Sequence, residues 1–111
     1  MGEVFLAEMG KRIQERRKTL RLSQEELAEK ANISKQTVSR AENAQRELGA
    51  GNLHNIAKAL EVSTDFLLTG TYTENDALHL SGKAANLTNR QFAYLEDLIK
   101  IYIDMCNEEI E

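Results

Sequence analysis

Apolar residues recur in this chain at helical spacing, in blocks separated by turn residues. Leu6, Met9, Ile13 and Leu20 share one face with Arg17 among them, so the pattern predicts a helix from about Glu3 to Leu20. Leu27, Ala28 and Ala31 form the next stripe, within a helix expected over about 24–31. Val38 and Ala41 face inward from a helix expected over about 35–43. Leu53, Ile56, Ala57 and Leu60 then mark a helix near Asn52–Leu60, and TDFLL a short one capped by Ser63 and stopped by Gly70. Residues 71–87 are weakly periodic and read as a connector with at most one turn around DALHL. A long helix follows, from about Asn89 to Glu108.

Local chemistry fixes where two of these helices begin. Ser23 and Glu26 have capping-box spacing, with Leu22 and Leu27 placed as a hydrophobic staple. Ser34 is the N-cap of the following helix, with Ile33 and Val38 at staple spacing. Between the two lies Asn32, a residue type that tolerates positive φ and so permits a sharp turn. Ala28 is small, as a close helix crossing requires. Thr88 and Gln91 repeat the capping box, flanked by Leu87 and Phe92, at the head of the long C-terminal helix. Two short helices joined in this way, the second polar on one side, have the grammar of a helix-turn-helix.

The absence of proline and the abundance of helix formers predict an all-α chain. No apolar run reaches the ~20 residues that span a bilayer, and MGEVFLAEMGKR lacks the pattern of a secretory signal. The single cysteine excludes an intramolecular disulfide and fits a cytoplasmic location. The net charge of −4 is unevenly divided. Residues 1–70 carry 11 Lys/Arg against 10 Asp/Glu, while residues 71–111 carry 3 against 8. The acidity therefore belongs to the C-terminal part. Lys11, Arg12, Arg16, Arg17, Lys18 and Arg21 cluster in the first helix, where the simplest reading is a solvated face. His54, His79 and Cys106 lack ligand spacing, and no phosphate loop or nucleophile motif is present. Neither metal, cofactor nor enzymatic activity is expected.

Three ordered blocks carry a family resemblance: IQERRKTLRLSQEELAEKANIS, KQTVSRAEN and LHNIAKALEVSTDFLLTG. Residues 9–70 resemble the lambda-repressor and Cro-like helix-turn-helix family, also called the XRE family. The resemblance implies a five-helix DNA-binding domain over residues 1–70, followed here by the connector and an oligomerisation helix over 88–111. It also implies site residues. Lys35, Gln36, Ser39 and Arg40 match positions that read bases, and such side chains can bond adenine or guanine edges in the major groove. Gln24 matches a phosphate-gripping glutamine; Thr37, Asn43, Gln45 and Arg46 match positions near the DNA backbone. Arg17 and Glu42 match a partly buried ion pair between the first and third helices.

The chain also departs from the family pattern. Ala44 stands where a glycine usually follows the Glu-Asn pair, which leaves Asn43 as the expected left-handed residue. Ala41 is smaller than the usual aliphatic residue, so another group must fill its space.

In the C-terminal helix Phe92, Leu95, Ile99, Tyr102 and Cys106 follow 3-4 spacing, and Leu98, Ile101 and Met105 add a second stripe. So much apolar surface predicts burial on two sides. One side is expected against Val4, Phe5 and Leu6 of the first helix, the other in a homodimer. The resemblance implies a sequence-specific regulator that binds double-stranded DNA, a dimeric repressor reading a palindromic operator through the major groove. The alternative is an antitoxin or adaptor whose acidic, apolar C-terminal helix binds a partner protein, with DNA binding autoregulatory.

Overall fold

The computed structural model describes residues 2–110. Among these residues it is all-helical: α1 (Glu3–Thr19), α2 (Gln24–Ala31), α3 (Lys35–Glu42), α4 (Ala50–Ala59), α5 (Thr64–Thr69), α6 (Glu74–Ala84) and α7 (Asn89–Ile110). The described chain divides within α6 into two compact units, one up to Ala77 and one from Leu78 onward.

The first unit holds the core. Met9 and Ile13 of α1 meet Leu27, Ala28 and Ala31 of α2, Val38 and Ala41 of α3, Ile56 and Ala57 of α4, Leu60, and Leu67 of α5. α1 packs on α3 and α5, while α2 packs on α3 and α4. Phe5 and Leu6 pack against this core, and Val4 is exposed. Close packing at one crossing depends on Gly10. A Cβ there would lie 2.5 Å from the Ala41 carbonyl oxygen and 2.7 Å from that of Glu42. The backbone of α1 thus lies directly against the last carbonyls of α3.

The helices of this unit are short, and left-handed residues turn the chain at their ends. Arg21, Asn32, Ala44 and Glu61 have φ between 56° and 60°, and Gly70 has φ 81°. At four of these ends the next amide reaches back to the last turn: Leu22 N–H to Arg17 O, Ile33 to Ala28, Gln45 to Arg40 and Val62 to Ala57, all within 2.9–3.1 Å. The left-handed role after α3 falls to Ala44, because Asn43 keeps φ −93° and ψ 7°. This corrects the expectation for Asn43. Gly49 caps α4, which begins at Ala50 rather than near Asn52.

The segment expected to be a connector over 71–87 is largely helical. Thr73 and Asp76 form a capping box at the start of α6: Thr73 N–H donates to Asp76 Oδ2 at 2.8 Å, and Asp76 N–H to Thr73 Oγ1 at 3.3 Å. The same carboxylate accepts from Ser63 N–H (2.7 Å) and Ser63 Oγ (2.7 Å), so the first turn of α6 is latched to the N-cap of α5. The first unit therefore runs past Gly70.

In the second unit Thr88 and Gln91 exchange the two capping bonds at the head of α7, at 2.9 and 3.2 Å. No described side chain from Leu78 to residue 108 is fully buried.

Desolvation raises the Asp76 carboxyl pKa, but the bonds from Thr73 and Ser63 outweigh it and hold the group below its ordinary value of 3.8. The stabilisation is therefore fully present above pH 3.8 and is lost as pH falls through the lower folded value. Asp76→Asn puts an amide donor against donor N–H groups, so it is expected to melt below the wild type near neutral pH. Thermal melts across pH should show that gap closing on acidification; a gap undiminished in acid would contradict the latch.

Candidate nucleic-acid interface

Two capped helices build the site. Ser23 Oγ accepts from Glu26 N–H, and Glu26 Oε1 accepts from Ser23 N–H, both at 3.0 Å. The bonds from the Ser23 backbone and hydroxyl hold the Glu26 carboxyl below its ordinary range. After the left-handed turn at Asn32, Ser34 Oγ accepts from Thr37 N–H at 3.1 Å, and the two hydroxyls lie 2.8 Å apart. α3 then presses fully buried Val38 and Ala41 into the core.

That inward stripe decides what faces out. Lys35, Gln36, Ser39, Arg40 and Asn43 recur at one- and four-residue intervals, on the side of α3 away from Val38 and Ala41. Lys35, Gln36, Arg40 and Asn43 are exposed. Ser39 is half-buried and its Oγ accepts from Asn43 Nδ2 at 3.3 Å. Thr37 is half-buried, its hydroxyl engaged with Ser34. Gln45 and Arg46 are exposed just beyond α3, and Arg46 lines one recess with Thr37, Arg40 and Asn52. Arg40 and Arg46 thus share one recess, whereas Lys35, at the head of α3, lines another with Ser23, Glu25, Glu26 and Glu29.

Beneath the face lies a buried polar junction. Glu42, with a side chain only 1% exposed, accepts from Arg17 Nε at 2.7 Å and from Arg17 Nη2 at 3.0 Å. Gln24 Nε2 donates to the same carboxylate at 3.2 Å, and Arg17 Nη1 donates to the Leu22 carbonyl at 2.9 Å. The bond to Glu42 raises the Arg17 pKa further, against the opposing effect of burial. One carboxylate therefore ties α1, α2 and α3 together. The Gln24 amide points at least one N–H inward, a contact the sequence did not disclose.

The remaining arginines of α1 correct the expectation of a solvated basic face. Arg12 Nη1 donates to the Leu67 carbonyl at 3.0 Å, and Arg16 Nε to the Leu60 carbonyl at 2.9 Å. These carbonyls lie at the C-terminal ends of α5 and α4, where a cation offsets the helix dipole. The signal lay in their i, i+4 and i+5 spacing on the buried side of α1. Periodicity alone does not show which helix end each one reaches.

On α7 the expected interface residues separate into two groups. Phe92, Leu98, Ile99, Ile101, Tyr102 and Met105 are exposed in the single chain, Tyr102 by 68%; Leu95 and Cys106 are half-buried. Among the described residues no group of His, Cys, Asp and Glu could hold a metal ion, and no helix is long and apolar enough to cross a membrane.

The fold and this face define a helix-turn-helix protein, and the comparisons agree. The helix-turn-helix family model matches residues 13–67. Repressor protein C2 of Salmonella phage P22 is 34% identical over 73 residues, which cover 66% of this chain and 34% of that protein. The match thus spans about a third of the length of that curated relative. The crystal structure of the P22 c2 repressor in complex with a synthetic operator superposes with TM-score 0.55 and 38% identity, over 57% of this chain and 96% of that one. A chain from the SinR protein/SinI protein complex superposes with TM-score 0.54 and 29% identity, over 86% of this chain and 98% of that one. The chain belongs to the lambda-repressor/Cro-like helix-turn-helix family, among relatives that are repressors and transcriptional regulators.

Removing one partner of the buried junction strands the other's charge, at about 3–5 kcal/mol when burial is complete. Arg17→Met should therefore lower the denaturant midpoint clearly. A midpoint equal to that of the wild type would show that the pair contributes no structural constraint.

Proposed function

We propose that this chain is a sequence-specific, double-stranded-DNA-binding transcriptional regulator, a cytoplasmic, non-enzymatic repressor acting as a homodimer on a palindromic operator. The observation that carries this reading is the exposed polar face of α3, held outward by buried Val38 and Ala41 and braced from beneath by Glu42. The similarity to a repressor solved on its operator supports it.

In this reading α3 enters the major groove, and Lys35, Gln36, Ser39 and Arg40 read base edges. Gln24, Thr37, Asn43, Gln45 and Arg46 fix the register on phosphates. Arg12, Arg16 and Arg17 are already bonded within the fold. The cations left for phosphates are few, so affinity depends on pairing two copies. The apolar face of α7, with Phe92, Leu95, Leu98, Ile99, Ile101, Tyr102, Met105 and Cys106, supplies that pairing.

The second reading, an antitoxin or adaptor that binds a partner protein through its C-terminal helix, draws support from one comparison. The match to a chain solved within a two-protein complex extends over 86% of this chain, beyond the helix-turn-helix. A protein partner covering α7 would then regulate DNA binding rather than replace it.

Gln36→Ala and Arg40→Ala are expected to lose sequence preference in gel shifts, each by about 1–3 kcal/mol at the base pair it contacts. Binding to unrelated duplex should change far less for Gln36→Ala. Unaltered specificity in both variants would contradict the assignment of α3 as the reading helix.

A further inference from the structure

We propose that Glu42, besides pairing with Arg17, is the positioning residue that aims the Gln24 side-chain amide at a DNA phosphate. The inference rests on the DNA-binding reading above and assigns a specific task to a residue that DNA does not touch.

A carboxylate paired with a guanidinium can only accept hydrogen bonds, so the edge of the Gln24 amide facing it must be the NH2 group. Turned over, the amide would set Oε1 against a carboxylate oxygen. The 3.2 Å bond from Gln24 Nε2 to Glu42 Oε1 therefore fixes the amide's orientation as well as its place. One N–H is used inward and the second remains for an outside acceptor. Gln24 is the first residue of α2, beside the first-turn amides whose dipole favours an anion. Arg17 makes the arrangement compatible with a phosphate. Its two bonds to Glu42 offset the negative charge that would otherwise stand behind the contact. α1, α2 and α3 each contribute one member to this relay, so aim is set by the packing of the fold.

The contact is to backbone, so a generic mixed-sequence duplex at low salt serves as probe, with the whole 111-residue chain. Gln24→Ala should weaken binding roughly fivefold, the worth of one hydrogen bond of ordinary strength. Glu42→Asp keeps the charge and the Arg17 pair but draws the carboxylate back by one methylene. It should weaken binding by a similar factor, and adding Gln24→Ala to it should cause little further loss. A Gln24→Ala effect of equal size in both backgrounds would overturn the positioning role while leaving DNA binding intact. No effect of Gln24→Ala in the wild type would also overturn it. Failure of the wild type to bind any duplex would overturn the DNA-binding reading itself.

If Glu42→Asp does not fold, NMR of the Gln24 amide in the wild type decides. One amide proton should already be shifted downfield by the carboxylate, and duplex should move the other. Gln24 amide shifts in the free protein that match those of exposed Gln45, or a second proton that duplex leaves unmoved, would overturn the proposal.

Discussion

The Glu42 carboxylate, buried and bonded to Arg17 and Gln24, is the constraint on which the proposed DNA-reading surface depends. Core packing sets α3 against α1 through Met9, Ile13, Val38 and Ala41, and Gly10 lets the two backbones approach closely. The carboxylate adds direction. It holds the end of α3 to the last turn of α1 and the start of α2, so the exposed side chains of α3 keep a fixed relation to Gln24. Burying a charge pair adds little net stability, and its value here is geometric.

The same economy of cations appears throughout the first unit. Arg12 and Arg16 bond carbonyls at the ends of α5 and α4, and Arg17 holds both Glu42 and the Leu22 carbonyl. In a chain of net charge −4 this leaves Lys35, Arg40 and Arg46 as the cations gathered near α3. In the proposed function, a reading face with so few cations gains more from a second copy than from further cations. The second unit offers the material for it. Its apolar side chains, Tyr102 and Leu98 among them, lie open, and a helix pair with no buried side chain among the described residues lacks a core of its own.

Much of this was legible in the sequence because it is local. Ser23 with Glu26, Ser34, and Thr88 with Gln91 announce helix starts within four residues, and the stripes of α1 to α5 follow from spacing. The features that local spacing does not show share a cause too. The sparse apolar residues of α6 suggest a connector, although Thr73 and Asp76 carry the capping signal that begins a helix. What secures that turn is Ser63, ten residues earlier, which no local pattern reveals. Ala44 takes a left-handed conformation that its residue type disfavours, because the bond from Gln45 N–H to Arg40 O closes α3 around it. The inward N–H of Gln24 and the carbonyl targets of Arg12 and Arg16 likewise depend on contacts distant in sequence.

The central claim is that the braced face of α3, presented twice by a paired second unit, reads a defined sequence. Selection from a random pool of duplexes by the purified protein tests it most directly. The account predicts enrichment of twofold-symmetric sites whose half-sites lie about one helical turn, ~34 Å, apart. A pool that remains random, or one that yields only single asymmetric half-sites, would contradict it.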